Sequence, residues 1–166
     1  PHFDNLKPAF RDEWFDPGNR YSVPYATTVP LIGYNAEKMR ALGLPTDSWA
    51  LVFEPSHLEK IRGRVTVLNS QRELMAAAMK YLGHSAQERD PARWEEAKRL
   101  ILRAKPYWAT FSNSTYIKDL AIGNIWVAHG YSNDMFRARE DARAAGRPFT
   151  IGFTTPKEGA VLAVDS

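Results

Sequence analysis

Residues 64–83 read RVTVLNSQRELMAAAMKYLG, and the change of period within this stretch decides the class of fold. Val65, Thr66 and Val67 form a β-branched run that favours extended backbone. Beyond Asn69 the spacing changes. Leu74, Ala77, Ala78, Tyr81 and Leu82 recur at i, i+3, i+4, i+7 and i+8, one face of a helix, and Gly83 supplies its stop. Ser70 and Glu73 stand three apart at the junction as a capping box, in which each side chain satisfies a free amide at the helix start. The stretch is therefore a strand running straight into an amphipathic helix.

The same alternation continues on both sides. Upstream, YSVPY (21–25) and PLIGYN (30–35) are short β-like runs that Pro24 and Pro30 confine to strand starts or edges. Downstream, Asp90 caps a helix that opens on Pro91 and buries Trp94, Ala97, Ile101 and Ala104. TYIKDLAIG (115–123) is a shorter helix leading into the apolar run NIWVAHG (124–130). A helix over SNDMFRAREDARAAG (132–146) and strands at FTIGFT (149–154) and GAVLAVDS (159–166) complete the series. Strand and helix in turn predict an α/β fold, a mainly parallel sheet flanked by helices, with ligand sites at the carboxyl ends of its strands.

A chain of 166 residues is one domain, long enough to bury a core, and its 44% apolar and 25% charged residues mark it as globular. No run of eighteen apolar residues predicts a membrane-spanning helix, and no export signal is visible in a chain that begins at Pro1. The absence of cysteine excludes disulfides, thiol catalysis and cysteine-bound zinc, without fixing the compartment. The net charge is +3, yet 22 basic residues are scattered among 19 acids, and the densest run, RAREDARAAGR (137–147), carries Glu140 and Asp141. That pattern describes a solvated helix face rather than a nucleic-acid interface.

Enzyme motifs are missing: the chain has no GxGxxG, P-loop, GxSxG or HExxH. His2, His57, His84 and His129 share no metal-ligand spacing and read as structural, His84 as a lone residue at a surface helix end. Neither metal nor cofactor is expected. Three acids stand at strand ends or helix starts, where α/β sites form. Glu73 has its capping role, and Asp134 sits where a helix dipole welcomes a carboxylate. Asp165, at the end of an apolar run, has no such role.

Four stretches together carry a resemblance: FDPGNRYSVPYATTVPLIGYNAEKM, RGRVTVLNSQRELMAAAMKYLG, VAHGYSNDMFRA and PKEGAVLAVDS. In order and spacing they resemble the putrescine- and spermidine-binding proteins of polyamine ABC importers, within the extracellular solute-binding proteins. The resemblance implies a type II periplasmic-binding-protein-like fold, in which two α/β lobes joined by crossover strands trap ligand in a cleft. Residues 1–166 then correspond to the second lobe, with crossovers near 21–26 and 159–165 acting as hinge and the first lobe lying in sequence before Pro1 and after Ser166. Residue by residue, it implies that Glu73, Asp134 and Asp165 grip ammonium groups. Tyr131 would pack on the methylene chain, and Ser70 would face the ligand. Members carry Phe or Trp where Ala163 stands here, which would enlarge the pocket, remove a cation–π contact of about 0.5–2 kcal/mol, and favour a bulkier amine than putrescine.

The function expected is therefore non-catalytic: capture of a small cationic amine in the periplasm, or outside a cell on a membrane tether, for delivery to the membrane permease of an ABC importer. The chemistry fits the name, since a polyamine needs carboxylates spaced along a slot with aromatic faces between them. A sensory lobe of a regulator or receptor is the alternative within the fold, and an acid–base enzyme using the three carboxylates is the alternative outside it. Unpaired crossover edges also predict self-association of this stretch by itself.

Overall fold

The structure, a computed structural model, describes residues 5–12 and 15–165. His2 lies outside the described residues, as does Ser166 at the end of the last predicted strand. The chain forms two compact units, residues 29–161 and a smaller one of residues 1–28 with 162–166.

The strands are β1 (Ala26–Thr28), β2 (Pro30–Asn35), β3 (Val65–Val67), β4 (Thr110–Phe111), β5 (Val127–Tyr131), β6 (Ile151–Thr154) and β7 (Ala163–Asp165). The α-helices are α1 (Ala36–Leu42), α2 (Ala50–Phe53), α3 (Pro55–Leu58), α4 (Gln71–Tyr81), α5 (Pro91–Ala104), α6 (Thr115–Ile122) and α7 (Ser132–Ala144).

The larger unit is built on a five-stranded sheet ordered β4-β3-β5-β2-β6. β3 runs parallel to both β4 and β5, whereas β2 is antiparallel to β5 and β6. Four strands thus point one way and β2 runs against them, so the sheet is mainly parallel as expected, with one reversed strand inside it. Pro30 does open β2, but β2 is internal rather than an edge. Its missing N–H costs nothing at the first position of the strand.

Alternate residues face opposite layers. Ile32, Val65, Val67 and Val127 join one buried cluster with α1–α5, and Leu31, Leu68 and Ala128 join a second with α6 and α7. Hence α4 and α5 cover one face of the sheet and α6 and α7 the other. At the edge of the first layer, Trp49 is fully buried and its indole N–H donates to the Gly159 carbonyl at 2.8 Å. The Glu158 carboxylate accepts from the Ser48 hydroxyl and from the Trp49 backbone N–H, so the PKEG turn is pinned to the start of α2.

Three expectations are corrected. Residues 21–25 are not a strand, and the first extended pairing begins at Ala26. Pro24 offers no N–H, and the Asp16 carboxylate already accepts the amides of Arg20, Tyr21 and Ser22 at 2.8–3.0 Å. The buried stripe of α5 is Ala97, Leu100 and Ala104, with Ile101 only part-buried; Trp94 is exposed because its indole N–H reaches back to the Glu88 carbonyl at 2.8 Å. His84 is not alone: its Nε2 stands 3.0 Å from a Glu96 carboxylate oxygen.

In the smaller unit β1 and β7 form an antiparallel ribbon, with Ala26 opposite Asp165 and Thr28 opposite Ala163. The strand expected over 159–166 is therefore confined, among the described residues, to Ala163–Asp165.

Candidate functional site

The connections around the sheet define where a ligand can sit. From the carboxyl end of β3 the chain crosses through α4 and α5 to β4 on one side. It returns through α6 on the opposite face to β5 on the other side, then leaves β5 through α7 towards β6. The carboxyl ends of the neighbouring strands β3 and β5 thus lead to helices on opposite faces. That divergence opens a crevice at a topological switch point, the place where open α/β sheets bind ligands.

Glu73 and Asp134 flank this crevice. Each is the third residue of the helix that follows its strand, counted from the caps Ser70 and Tyr131. Val65 pairs with Val127 and Thr66 with Ala128, so the two strands arrive side by side and in parallel. Two of the three sequence-predicted acids, Glu73 and Asp134, are therefore brought to one edge of one sheet. Tyr131 stands at the last position of β5, half-buried against the second core cluster. Asp165 belongs to the smaller unit, where its carboxylate accepts from the Thr28 hydroxyl at 3.5 Å and its carbonyl from the Tyr25 N–H at 2.9 Å.

Ser70 and Glu73 form only half of the expected capping box. The Ser70 hydroxyl accepts from the Glu73 N–H at 3.4 Å, but the Glu73 carboxylate does not reach back. One of its oxygens instead accepts from the Arg72 guanidinium, at 2.9 and 3.1 Å. Glu73 is 5% exposed while the Arg72 side chain is 83% exposed, so a buried anion is met by a cation that water and ligands can readily displace. Glu73 also lines a narrow cleft with Pro30, Trp49, Ala77, Lys80 and Ala160. The larger depressions of this unit, about 360–370 Å³ each, are lined by α6, α7 and the arginines beside them, and include none of the predicted residues.

The sequence reading missed Tyr116. This residue of α6 is fully buried, its hydroxyl donates to Asp134 Oδ2, and its Oη accepts from the Tyr131 N–H at 3.3 Å. Burial, and then the hydrogen bond to Asp134, push the phenol's pKa up, so it stays protonated and can act as a donor. Gly130 permits the approach: a β-carbon there would clash with the tyrosine ring and stand 2.5 Å from Met135. A glycine inside a strand is the sequence signal that a neighbour comes close. His129 is buried on the other face, edge-on to Trp49 with ring centroids 5.4 Å apart, and burial pushes its pKa down to about 3. It is a neutral core residue. Among the described residues, no group of three or more His, Asp or Glu side chains could hold a metal.

Over residues 1–166 the chain matches the family described as bacterial extracellular solute-binding protein. The chain belongs to that family. Among its relatives is a putrescine/cadaverine-binding protein of Pseudomonas aeruginosa, 55% identical over 165 residues, covering 99% of this chain and 47% of that one. The putrescine-binding periplasmic protein PotF of Escherichia coli is 34% identical over 172 residues, covering 99% and 46%. The crystal structure of the spermidine/putrescine ABC transporter substrate-binding protein PotD from Streptococcus pneumoniae superposes with a TM-score of 0.79, over 98% of this chain and 46% of that one. Their identity is 20%, so this likeness speaks for the fold alone. The chain spans about half the length of the curated relatives it matches.

Proposed function

We propose that these residues form one lobe, with its crossover strands, of a periplasmic polyamine-binding component of an ABC importer. One observation carries the reading: two acids at the same position of two helices flank the crevice between the carboxyl ends of β3 and β5. Paired carboxylates at a switch point suit a ligand with ammonium groups separated by methylenes. The 55% identity to a putrescine/cadaverine-binding protein supports the ligand class. In this reading Glu73, Asp134 and Asp165 accept hydrogen bonds from ammonium groups. Tyr131 packs against the aliphatic chain, and Ser70 combines capping with a contact to the ligand. Ala163 leaves room for an amine longer or bulkier than putrescine, and the partner receiving the loaded protein is the membrane permease of the importer. The ribbon edges of β1 and β7 favour self-association when these 166 residues are prepared alone, which light scattering against concentration would reveal.

Calorimetric titration of the full-length protein with putrescine, cadaverine, spermidine and amino-acid controls tests the function. Saturable heat with at least one di- or polyamine is expected, with the amine recovered unchanged. Asp134→Asn and Asp165→Asn should each weaken binding by about 30-fold or more, the scale for removing one partner of a desolvated charge pair. Absence of heat with every amine, or chemical conversion of the amine, would overturn the proposal.

A further inference from the structure

We infer that Tyr116 is a positioning residue for the amine site, one that holds the Asp134 carboxylate in its receiving orientation. The inference rests on the reading that Asp134 accepts an ammonium group. Asp134 lies on an accessible first turn of α7, where a short carboxylate would otherwise be free to rotate towards the helix amides or into water. Its Oδ2 is taken by the Tyr116 hydroxyl, which comes from a different helix and from a wholly buried ring. Among the described residues its Oδ1 meets only the exposed Asn133 side-chain amide, at 3.2 Å. One oxygen is thus fastened to the core, and the other can exchange its amide for an incoming ammonium.

The fastening extends to the backbone. Tyr116 Oη accepts from the Tyr131 N–H while donating to Asp134, so one buried oxygen ties the end of β5 to the first turn of α7. Tyr131 and Asp134 are the proposed aromatic wall and ammonium acceptor, and a single hydroxyl sets the spacing between them. The ring has little freedom to move, because it is seated against Gly130 with Met135 beside it. Removing the hydroxyl would leave the ring packed and release the carboxylate, so that binding would have to order it anew. The expected loss is about 3- to 10-fold in amine affinity, the scale for immobilising one side chain on binding.

A double-mutant cycle on the full-length protein, read by calorimetry with cadaverine and putrescine, tests the inference. Tyr116→Phe should weaken binding in the presence of Asp134 and cause no further loss in the Asp134→Asn background. Equal losses in both backgrounds would mean that Tyr116 acts through general stability, and the positioning role would be overturned while the amine site stood. No loss in Tyr116→Phe alone would likewise overturn the positioning role while the amine site stood. Unchanged affinity in Asp134→Asn would remove the site reading and this inference together. Should Tyr116→Phe fail to fold, 3-fluorotyrosine placed at 116 keeps the ring and hydroxyl. Its fluorine resonance should shift on adding cadaverine to the otherwise unaltered protein and stay still in Asp134→Asn. A resonance indifferent to ligand in both would refute the role.

Discussion

Glu158→Ala should destabilise the protein far more than the same change at the neighbouring Lys157. Glu158 is half-buried, and its carboxylate accepts from two donors, the Ser48 hydroxyl and the Trp49 backbone N–H, the latter at 3.2 Å. Ser48 is 4% exposed, and its oxygen already accepts from the Ala50 N–H at 3.1 Å, so in the variant its hydroxyl proton has no ready substitute acceptor. Hydrogen bonds to a charged group are worth about 1.5–3 kcal/mol each when buried. Because the carboxylate is part-exposed and the two bonds share one group, about 2–3 kcal/mol in total is the expected loss. For a chain of this size that corresponds to a fall in Tm of about 4–12 °C. Lys157 meets Asp47 at 3.8 Å with both side chains 64% exposed, an arrangement worth at most about 0.5 kcal/mol. Urea unfolding of the wild type, Glu158→Ala and Lys157→Ala, monitored by circular dichroism, compares the two. A Glu158→Ala loss below 0.5 kcal/mol, or one matching Lys157→Ala, would show that the PKEG turn does not anchor this segment through its carboxylate.

Gly130→Ala should cost about 1–3 kcal/mol in urea unfolding, since the new methyl must displace Tyr116 or Met135 from a filled layer; a neutral effect would mean the helix layer is looser than the structure indicates. Burial pushes the Asp16 carboxyl up, but hydrogen bonds from Tyr21, Ser22 and Arg20 outweigh it and hold the group below its ordinary value. Its contribution is therefore complete above the unfolded value near 3.9 and lost as pH falls through the lower folded value, so Asp16→Ala should flatten the acid end of a stability–pH curve. His129 titrates at about 3 when folded and near 6.5 when unfolded, so the unfolded chain binds more protons between those values. Stability should fall as pH drops from 6.5 towards 3, by at most about 5 kcal/mol, and His129→Leu should remove that slope; a slope unchanged in the variant would show that His129 is not its source.

Period and punctuation made most of the larger unit legible. The β-branched run into α4, the Asp90–Pro91 opening of α5 and the glycine after α6 each carry a local signal strong enough to survive tertiary packing. The helices α2 and α3 had none, because each is four residues long, and in α2 Leu51, Val52 and Phe53 are all buried, which leaves no polar face to reveal a helical period. Trp94 looked like core by its spacing, yet its indole found a carbonyl in the preceding loop instead. The failure at 21–25 has the same origin: Asp16 had already taken the amides that a strand would have offered to a partner. At the site, Glu73 and Asp134 were legible as acids at helix starts. Tyr116 was not, because its role depends on a ring crossing to Gly130 and Asp134, 14 and 18 residues further along the chain.

The places of Glu73 and Asp134 in the first turns of their helices would serve the binding role proposed for them. In the proposed site no ammonium offsets the negative charge of these two acids until ligand arrives. Placing each acid in the first turn of its helix supplies favourable potential from the backbone, about 0.3–1 kcal/mol, before any ligand arrives. Arg72 adds a displaceable counter-charge to Glu73, and Tyr116 a fixed neutral donor to Asp134. In the proposed site the two acids are thereby prepared differently: Glu73 would exchange the Arg72 cation for an ammonium, whereas Asp134 would keep its phenol and gain an ammonium. Raising the ionic strength should accordingly weaken an ammonium's hold at both acids, but less at Glu73, where salt also loosens the competing Arg72 pair.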